Sequence, residues 1–373
     1  MKQLKPQIVC LYRSNTILEA LIMLGDTMKT PLTCVLAILM ITGAYSLKAQ
    51  SPKPLSIKWA ESTPFPAPTA GYAAGVICGR LVIAGGTYWE GTKGRWTKKL
   101  FSASTQAFDP RTRKWEKLPD APIPFGYAAF TTVANRLFVL GGHTGAGVNR
   151  KIFTLRKKGD HYVWEQFGEM PFNSLFGGAV SVGKTIYVLS GSTEFEPFDS
   201  AGTCCTTKTA TNTLFALDTA HPQRGWRQLT PYPGAVRSFF STETDGKSIW
   251  MFGGIFQAEH KDSATKFDEV LRYDLDKKQW AIMPPLPAAS LEGGAPSPLF
   301  VEGKILLVSG TKRVWQLDPR KLQYSEVSPL PEAASVDKFV WLDHMIVGAG
   351  GENSLEGPRR RSEWTFVGWL EAK

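Results

Sequence analysis

The chain of 373 residues is 43% apolar and 20% charged, enough material for two average domains or one large repeat-built domain. Its 35 Gly, 25 Pro, 12 Trp, 10 Tyr and 21 Phe exclude disorder, coiled coil and collagen, and suit short strands joined by tight turns. A net charge of +10 admits nucleic acid, an anionic surface or an anionic small molecule as partner, and composition does not choose among them.

Lys29-Thr30 precede a mostly apolar run from Pro31 to Tyr45 and a small-residue exit, the layout of a secretory signal peptide over residues 28–50. Cleavage is expected after Ser46 or Ala49, and translation is expected to begin at Met28, with residues 1–27 a mis-annotated extension. The apolar run is short for a membrane span, so no stable insertion is expected after cleavage. The alternative is an anchor that stays attached. Without residues 1–50 the chain keeps 38 basic and 31 acidic residues, a net charge of +7. The three cysteines that then remain, Cys78, Cys204 and Cys205, are too few for a disulfide framework. Cys204-Cys205 either form a strained vicinal disulfide or stay as thiols in a loop.

From residue 57 onward the chain repeats one unit. An apolar strand ending in Gly-Gly or Ser-Gly recurs as LVIAGG, LFVLGG, IYVLSG, IWMFGG, ILLVSG and MIVGAGG, with its last Gly at 86, 142, 191, 254, 310 and 351. The intervals of 56, 49, 63, 56 and 41 residues match the period of four-stranded propeller blades. A second mark follows each strand: an Asp-containing turn, then Trp or Tyr, as in AFDPRTRKW (107–115), RYDLDKKQW (272–280) and QLDPRKLQY (316–324). Asp suits the hairpin turn, and the aromatic is expected to fill the gap between blades. A third mark precedes each strand, a Pro-rich link feeding a small-residue inner strand. The last blade has inner strands at about 336–342 and 345–350 and a third at 363–370, but lacks a fourth. Residues Ile57–Ala60 are expected to supply it by pairing with 364–370, which closes the ring and removes open sheet edges.

The expected fold is therefore all-β: one six-bladed propeller over residues 57–371, its last blade closed by the N-terminal strand. The three marks resemble the kelch-repeat family. Blades three and five depart from the double Gly with Ser190-Gly191 and Ser309-Gly310.

Propeller sites gather where the second-to-third-strand connections and the inter-blade links meet at one mouth of the channel. The links are expected to bring Tyr72, Tyr127, Phe176, Arg237, Glu292 and Asp337 to this mouth, and the connections to add His143 and the segment GGENSLEGPRRRSEW at 350–364. There Glu352 follows the double Gly, and Arg359, Arg360 and Arg361 precede the next strand. A carboxylate beside arginines offers a proton acceptor and an anchor for a substrate carboxylate. The same residues also suit a charged surface loop held by its own ion pairs.

Exported six-bladed kelch proteins of bacteria include the N-acetylneuraminate epimerases, or sialic acid mutarotases. A Gly-Glu at a strand end followed closely by Gly-x-Arg marks that group, and Gly351-Glu352 with Gly357-Pro358-Arg359 is similar to it, Arg361 being a second match. The match lies in the last blade, as a circular shift of blade order would place it. The resemblance implies Glu352 with Arg359 or Arg361 as the acid/base pair. Arg360, Arg237, Tyr72, Tyr127, His143 and Glu292 then hold a small acidic sugar, with no cofactor or metal required. The rival expectation is a non-catalytic propeller that binds a glycan or a protein.

Three other signals are weak. The run Gly141–Gly147 lacks the Lys-Ser/Thr and following helix of a phosphate loop. The five His show no metal-ligand spacing, and the Arg run is too short for a nucleic-acid stripe. Copper radical oxidases also use kelch propellers, but six blades and a Cys78 expected in an inner strand argue against one.

Overall fold

A computed structural model describes residues 54–371 except 61–62, 93–94, 195–208, 257–264, 289–294 and 354–359. The expected leader, Cys204-Cys205, Glu292 and Arg359 lie outside the described residues. Six four-stranded antiparallel sheets form in the order the repeats require. Blade one is Ala73–Ile77, Arg80–Ala84, Thr105–Asp109 and Lys114–Leu118, and blades two to five follow the same up-and-down path. Blade six takes Val340–Leu342, Met345–Ala349 and Thr365–Leu370 from the C-terminal end and Ile57–Trp59 from the N-terminal end. Ile57 pairs with Leu370 and Trp59 with Gly368, so the ring closes with the expected partner strand.

The second strands are apolar on both faces because each is covered by a blade on either side. Among the described residues, six of the buried apolar clusters lie between blades, each shared by two neighbours. Leu137, Val139 and Leu155 meet Val82 and Ala107 between blades two and one, for example, while Ile249, Met251 and Leu271 meet Val180 and Leu189 between blades four and three.

Both sequence marks have a local cause. In the outer hairpins the Asp109, Asp274 and Asp318 carboxylates accept backbone N–H groups two and three residues on, which holds the turn. Arg113, Lys278 and Leu322 then take left-handed φ of 56°, 57° and 56°, the bulge that starts the outer strand. The aromatic two residues later reaches back to the preceding blade. Trp115 Nε1 donates to Thr365 Oγ1 at 3.1 Å, Trp280 Nε1 to the Thr230 carbonyl at 2.8 Å and the Tyr324 hydroxyl to the Pro284 carbonyl at 2.9 Å.

Trp59 is the counterpart in blade six, packed 6.4 Å from both Phe339 and Phe366. Replacing Trp59 by Ala is expected to cost about 2 kcal/mol, since it is partly rather than fully buried. The check is a lowered urea midpoint with an unchanged slope, as for any loss of packing in an intact two-state fold.

Two local expectations are corrected. The inner strand of blade six begins at Val340 rather than 336, because the side chains of Asp337 and Lys338 turn to other blades before the ladder starts. Cys78 is not in an inner strand; it sits in the turn after Ala73–Ile77 at φ 48°, exposed and with a free thiol.

Candidate functional site

In five of the six blades the residue after the strand-ending Gly is pinned at one mouth of the channel. Thr87, His143, Ser192, Ile255 and Glu352 each pair with a residue leading into their own inner strand, respectively Ala70, Gly126, Leu175, Ser238 and Ser335. Beyond that point blade one raises a ribbon (Thr87–Thr92 with Arg95–Phe101), blade four a short one (Ile255–Phe256 with Thr265–Lys266) and blade six another (Glu352–Asn353 with Arg360–Arg361). Gly350 and Gly351, at φ 70° and 87°, make the turn that delivers Glu352 to the mouth.

In the blade-six ribbon Glu352 pairs with Arg361 and Asn353 with Arg360. Neighbouring residues of a strand face opposite ways, so only one of the two arginines reaches Glu352. Arg361 Nη1 donates to Glu352 Oε2, while its Nε donates to the Thr87 carbonyl and its Nη2 to Thr87 Oγ1, each at 2.9 Å. Both side chains are largely buried, 8% exposed for Arg361 and 17% for Glu352, yet both line the cavity. Arg360 turns away to Glu332 at 2.8 Å, in a knot with Ser362 and Asn353.

Thr87 extends this network. Its hydroxyl donates to the Ala70 carbonyl at 3.0 Å, which uses its single hydrogen. The Tyr127 hydroxyl, 3.3 Å away, is therefore the donor to Thr87, and it accepts in turn from Lys99 Nζ. The Lys99 ammonium also lies 5.1 Å from the Trp89 ring centre and 4.8 Å from that of Tyr127. Burial pushes the Tyr127 phenol up to about 12, so it stays a neutral donor.

Beside these charges the mouth is aromatic. Tyr127, Phe176 and Phe239 occupy one equivalent position in blades two, three and four. Their backbones are linked Tyr127 N–H to Gly71, Phe176 N–H to Tyr127 and Phe239 N–H to Phe176, at 2.8, 3.2 and 2.8 Å. All three hold left-handed φ between 53° and 59°, a conformation bulky residues rarely take. Their rings form an arc, with Tyr127–Phe176 centroids at 4.5 Å and Phe176–Phe239 stacked at 3.9 Å.

The cavity these groups line holds about 690 Å³ and runs down the channel along the inner strands. Lys338 crosses it from blade six, donating to Glu243 of blade four at 2.8 Å. Near the mouth, Asp337 Oδ2 accepts the Gly71 N–H at 2.8 Å. Burial, aided by the charge of Glu352, pushes Asp337 up to about 7, against the opposing pull of the Gly71 and Tyr72 N–H groups and of Arg361.

Of the residues expected from sequence, Glu352, Arg361 and Tyr127 come together at one mouth. Three others do not turn to the cavity with their polar ends. The Tyr72 hydroxyl donates to Ala349 at 2.5 Å and ties blade one to blade six. Arg237, fully buried, lies 2.7 Å from Glu269 and over the Phe267 ring, outside the cavity lining. His143 holds the blade-two position equivalent to Glu352, but packs 5.1 Å from Phe101 and accepts the Gly145 N–H on Nδ1. Burial, then the charge of Lys99, lowers its pKa, which favours the neutral imidazole. Thr87 and Lys99 escaped the sequence reading as individual site residues. Alignment of the strand-ending glycines finds Thr87, which follows Gly86 as Glu352 follows Gly351, whereas nothing local marks Lys99. Among the described residues no cluster of three or more His, Cys, Asp or Glu is placed to hold a metal ion.

Fold and site together define a six-bladed propeller with a half-charged, half-aromatic pocket at one channel mouth. A kelch motif model matches residues 68–122, which is blade one with its outgoing link. The N-acetylneuraminate epimerase of Vibrio cholerae is 29% identical over 123 residues, 33% of this chain and 28% of that protein. Its namesake in Vibrio vulnificus is 28% identical over 144 residues, 38% and 32% of the two chains. Kelch-like protein 36 of Bos taurus is 25% identical over 290 residues, 74% of this chain and 43% of the relative. The chain thus spans less than half the length of each of these relatives.

Proposed function

We propose that this chain is an exported carbohydrate mutarotase that interconverts the anomers of N-acetylneuraminate or a related acidic sugar by acid/base ring opening. The observation that carries this reading is the Glu352–Arg361 pair in the cavity wall, in one pocket with an arc of three aromatic rings. A sugar acid has an apolar ring face, a carboxylate and an anomeric hydroxyl. The arc suits the first, and the cations Arg361 and Lys99 suit the second. Glu352, anchored on a strand end, takes the proton of the third and returns it after the open chain has rotated. Arg361 fixes the direction of that carboxylate through its two bonds to Thr87. The partial match to proteins named N-acetylneuraminate epimerase supports the choice of sugar.

A second reading, a non-catalytic propeller that binds a glycan or a protein, is favoured by the wider span of the Kelch-like matches. Anomer-resolved NMR of freshly released N-acetylneuraminate separates the two. The wild type is expected to speed equilibration, and Glu352→Gln to lower the accelerated rate about 100-fold, the usual size of a lost general base. Equal rates with and without the wild-type protein would sink the mutarotase reading for that sugar. Binding of the sugar with no change in its anomeric exchange is the result the second reading expects.

A further inference from the structure

Opening a hemiacetal ring moves two protons: one leaves the anomeric hydroxyl and one arrives at the ring oxygen. A single carboxylate held by an arginine suits only the first transfer. The cavity contains two further carboxyls, and of these Glu243 is held by Lys338 while Asp337 is not. Asp337 lies two residues beyond Ser335, whose backbone pairs with Glu352, and both carboxyl-bearing residues line the same pocket. Their surroundings differ in kind. Glu352 is ion-paired with Arg361. Asp337 is held by the Gly71 N–H and has no ion-pair partner among the described residues. The charged and titratable groups whose fields reach it are Arg361, Glu352, Tyr72 and Tyr127. The adjacent Lys338 is committed to Glu243.

Two carboxyls near one mouth of a pocket, one matched by a cation and the other not, divide into a base and an acid. Resting on the mutarotase reading, we propose that Asp337 is the general acid that protonates the ring oxygen while Glu352 removes the anomeric proton. In the forward step the Glu352 carboxylate takes the hydroxyl proton and a carbonyl forms at the anomeric carbon. The bond from that carbon to the ring oxygen breaks, its electron pair goes to the oxygen, and the Asp337 proton is transferred there. After rotation about the adjacent carbon–carbon bond, the Asp337 carboxylate takes the proton back as the ring closes on the other carbonyl face, and Glu352 returns its own. Both side chains end as they began, so no co-reactant is needed. The protonation of Asp337 near neutrality, caused chiefly by burial, agrees with this role.

The test uses the full chain and N-acetylneuraminate, with anomeric exchange followed by NMR from pH 5 to 9. The wild-type rate is expected to fall as pH rises through about 7, where Asp337 loses its proton. Asp337→Asn is expected to lower the rate about 100-fold at pH 6 and to abolish that descending limb. Asp337→Glu is expected to restore part of the rate, which a merely structural residue would not show. Carbon-13 detection of the Asp337 carboxyl gives a readout independent of turnover, and titration near neutrality is expected. If the wild type fails to accelerate exchange, the parent reading falls and the acid role with it. If the wild type is active, Asp337→Asn within twofold of it, or Asp337 titrating in the ordinary aspartate range, overturns the assignment of Asp337 alone.

Discussion

Gly351→Ala is expected to cost at least about 3 kcal/mol and to break the Glu352–Arg361 pair. Two physical effects add at this position. The residue sits at φ 87°, where any side chain is strained by about 1–2 kcal/mol. A Cβ there would also lie 2.3 Å from the Ser335 carbonyl oxygen, 2.8 Å from its carbon and 2.9 Å from Val336 Cα. Those atoms are backbone and belong to the pairing that holds Glu352, so none yields without unpicking Ser335 from Glu352. Gly303→Ala separates the two effects. Gly303 has φ 71° but nothing within 4 Å of its missing Cβ, so only strain is added, about 1 kcal/mol. Urea unfolding of the two variants beside the wild type is the check. Equal losses would mean that the close approach at Gly351 is not a constraint of the native state.

The same glycines explain why the fold was readable. A strand that turns at the channel mouth through left-handed backbone needs Gly at fixed places, and a hairpin held by its own Asp needs Asp before the aromatic. Both requirements are local, so the sequence displays them blade after blade. The Glu352–Arg361 pair was legible for a related reason: it spans one short ribbon, and strand alternation separates Arg361 from Arg360. The links into the inner strands were harder. Tyr127, Phe176 and Phe239 share one rim position, but Tyr72 lies one residue past its equivalent and Arg237 two residues before it, as the Gly71–Tyr127–Phe176–Phe239 hydrogen bonds show. A slip of one residue, as at Tyr72, changes the side a β residue faces, and Pro-rich links of unequal length hide such offsets. Thr87 meets Arg361 across 274 residues, and Lys99 meets Tyr127 from an added ribbon. The first of these contacts exists only once the ring is closed by residues 57–59.

Asp337→Asn is expected to stabilise the protein at pH 8 and to leave it nearly unchanged at pH 4. Folding raises the Asp337 carboxyl from an ordinary aspartate value to about 7, mainly by burial. Between those two values the folded chain holds a proton that the unfolded chain has released. Stability therefore falls as pH rises through this window, and the full penalty is reached above pH 7. The gap corresponds to a ceiling of about 4 kcal/mol, and contact with the channel reduces it, so a gain of about 1–3 kcal/mol at pH 8 is expected for the variant. Asn does not ionise, and its side-chain oxygen still accepts the Gly71 N–H, so the hydrogen bond at 2.8 Å is kept. Thermal unfolding at pH 4, 6 and 8 measures the effect as a difference that widens with pH. A constant difference would show that the carboxyl is not held protonated by the fold. A growing one identifies a site where the native residue weakens the propeller at neutral pH, against the ordinary preference for a paired or solvated carboxylate. Such a cost is expected where a carboxyl is kept for its proton rather than for the stability of the ring.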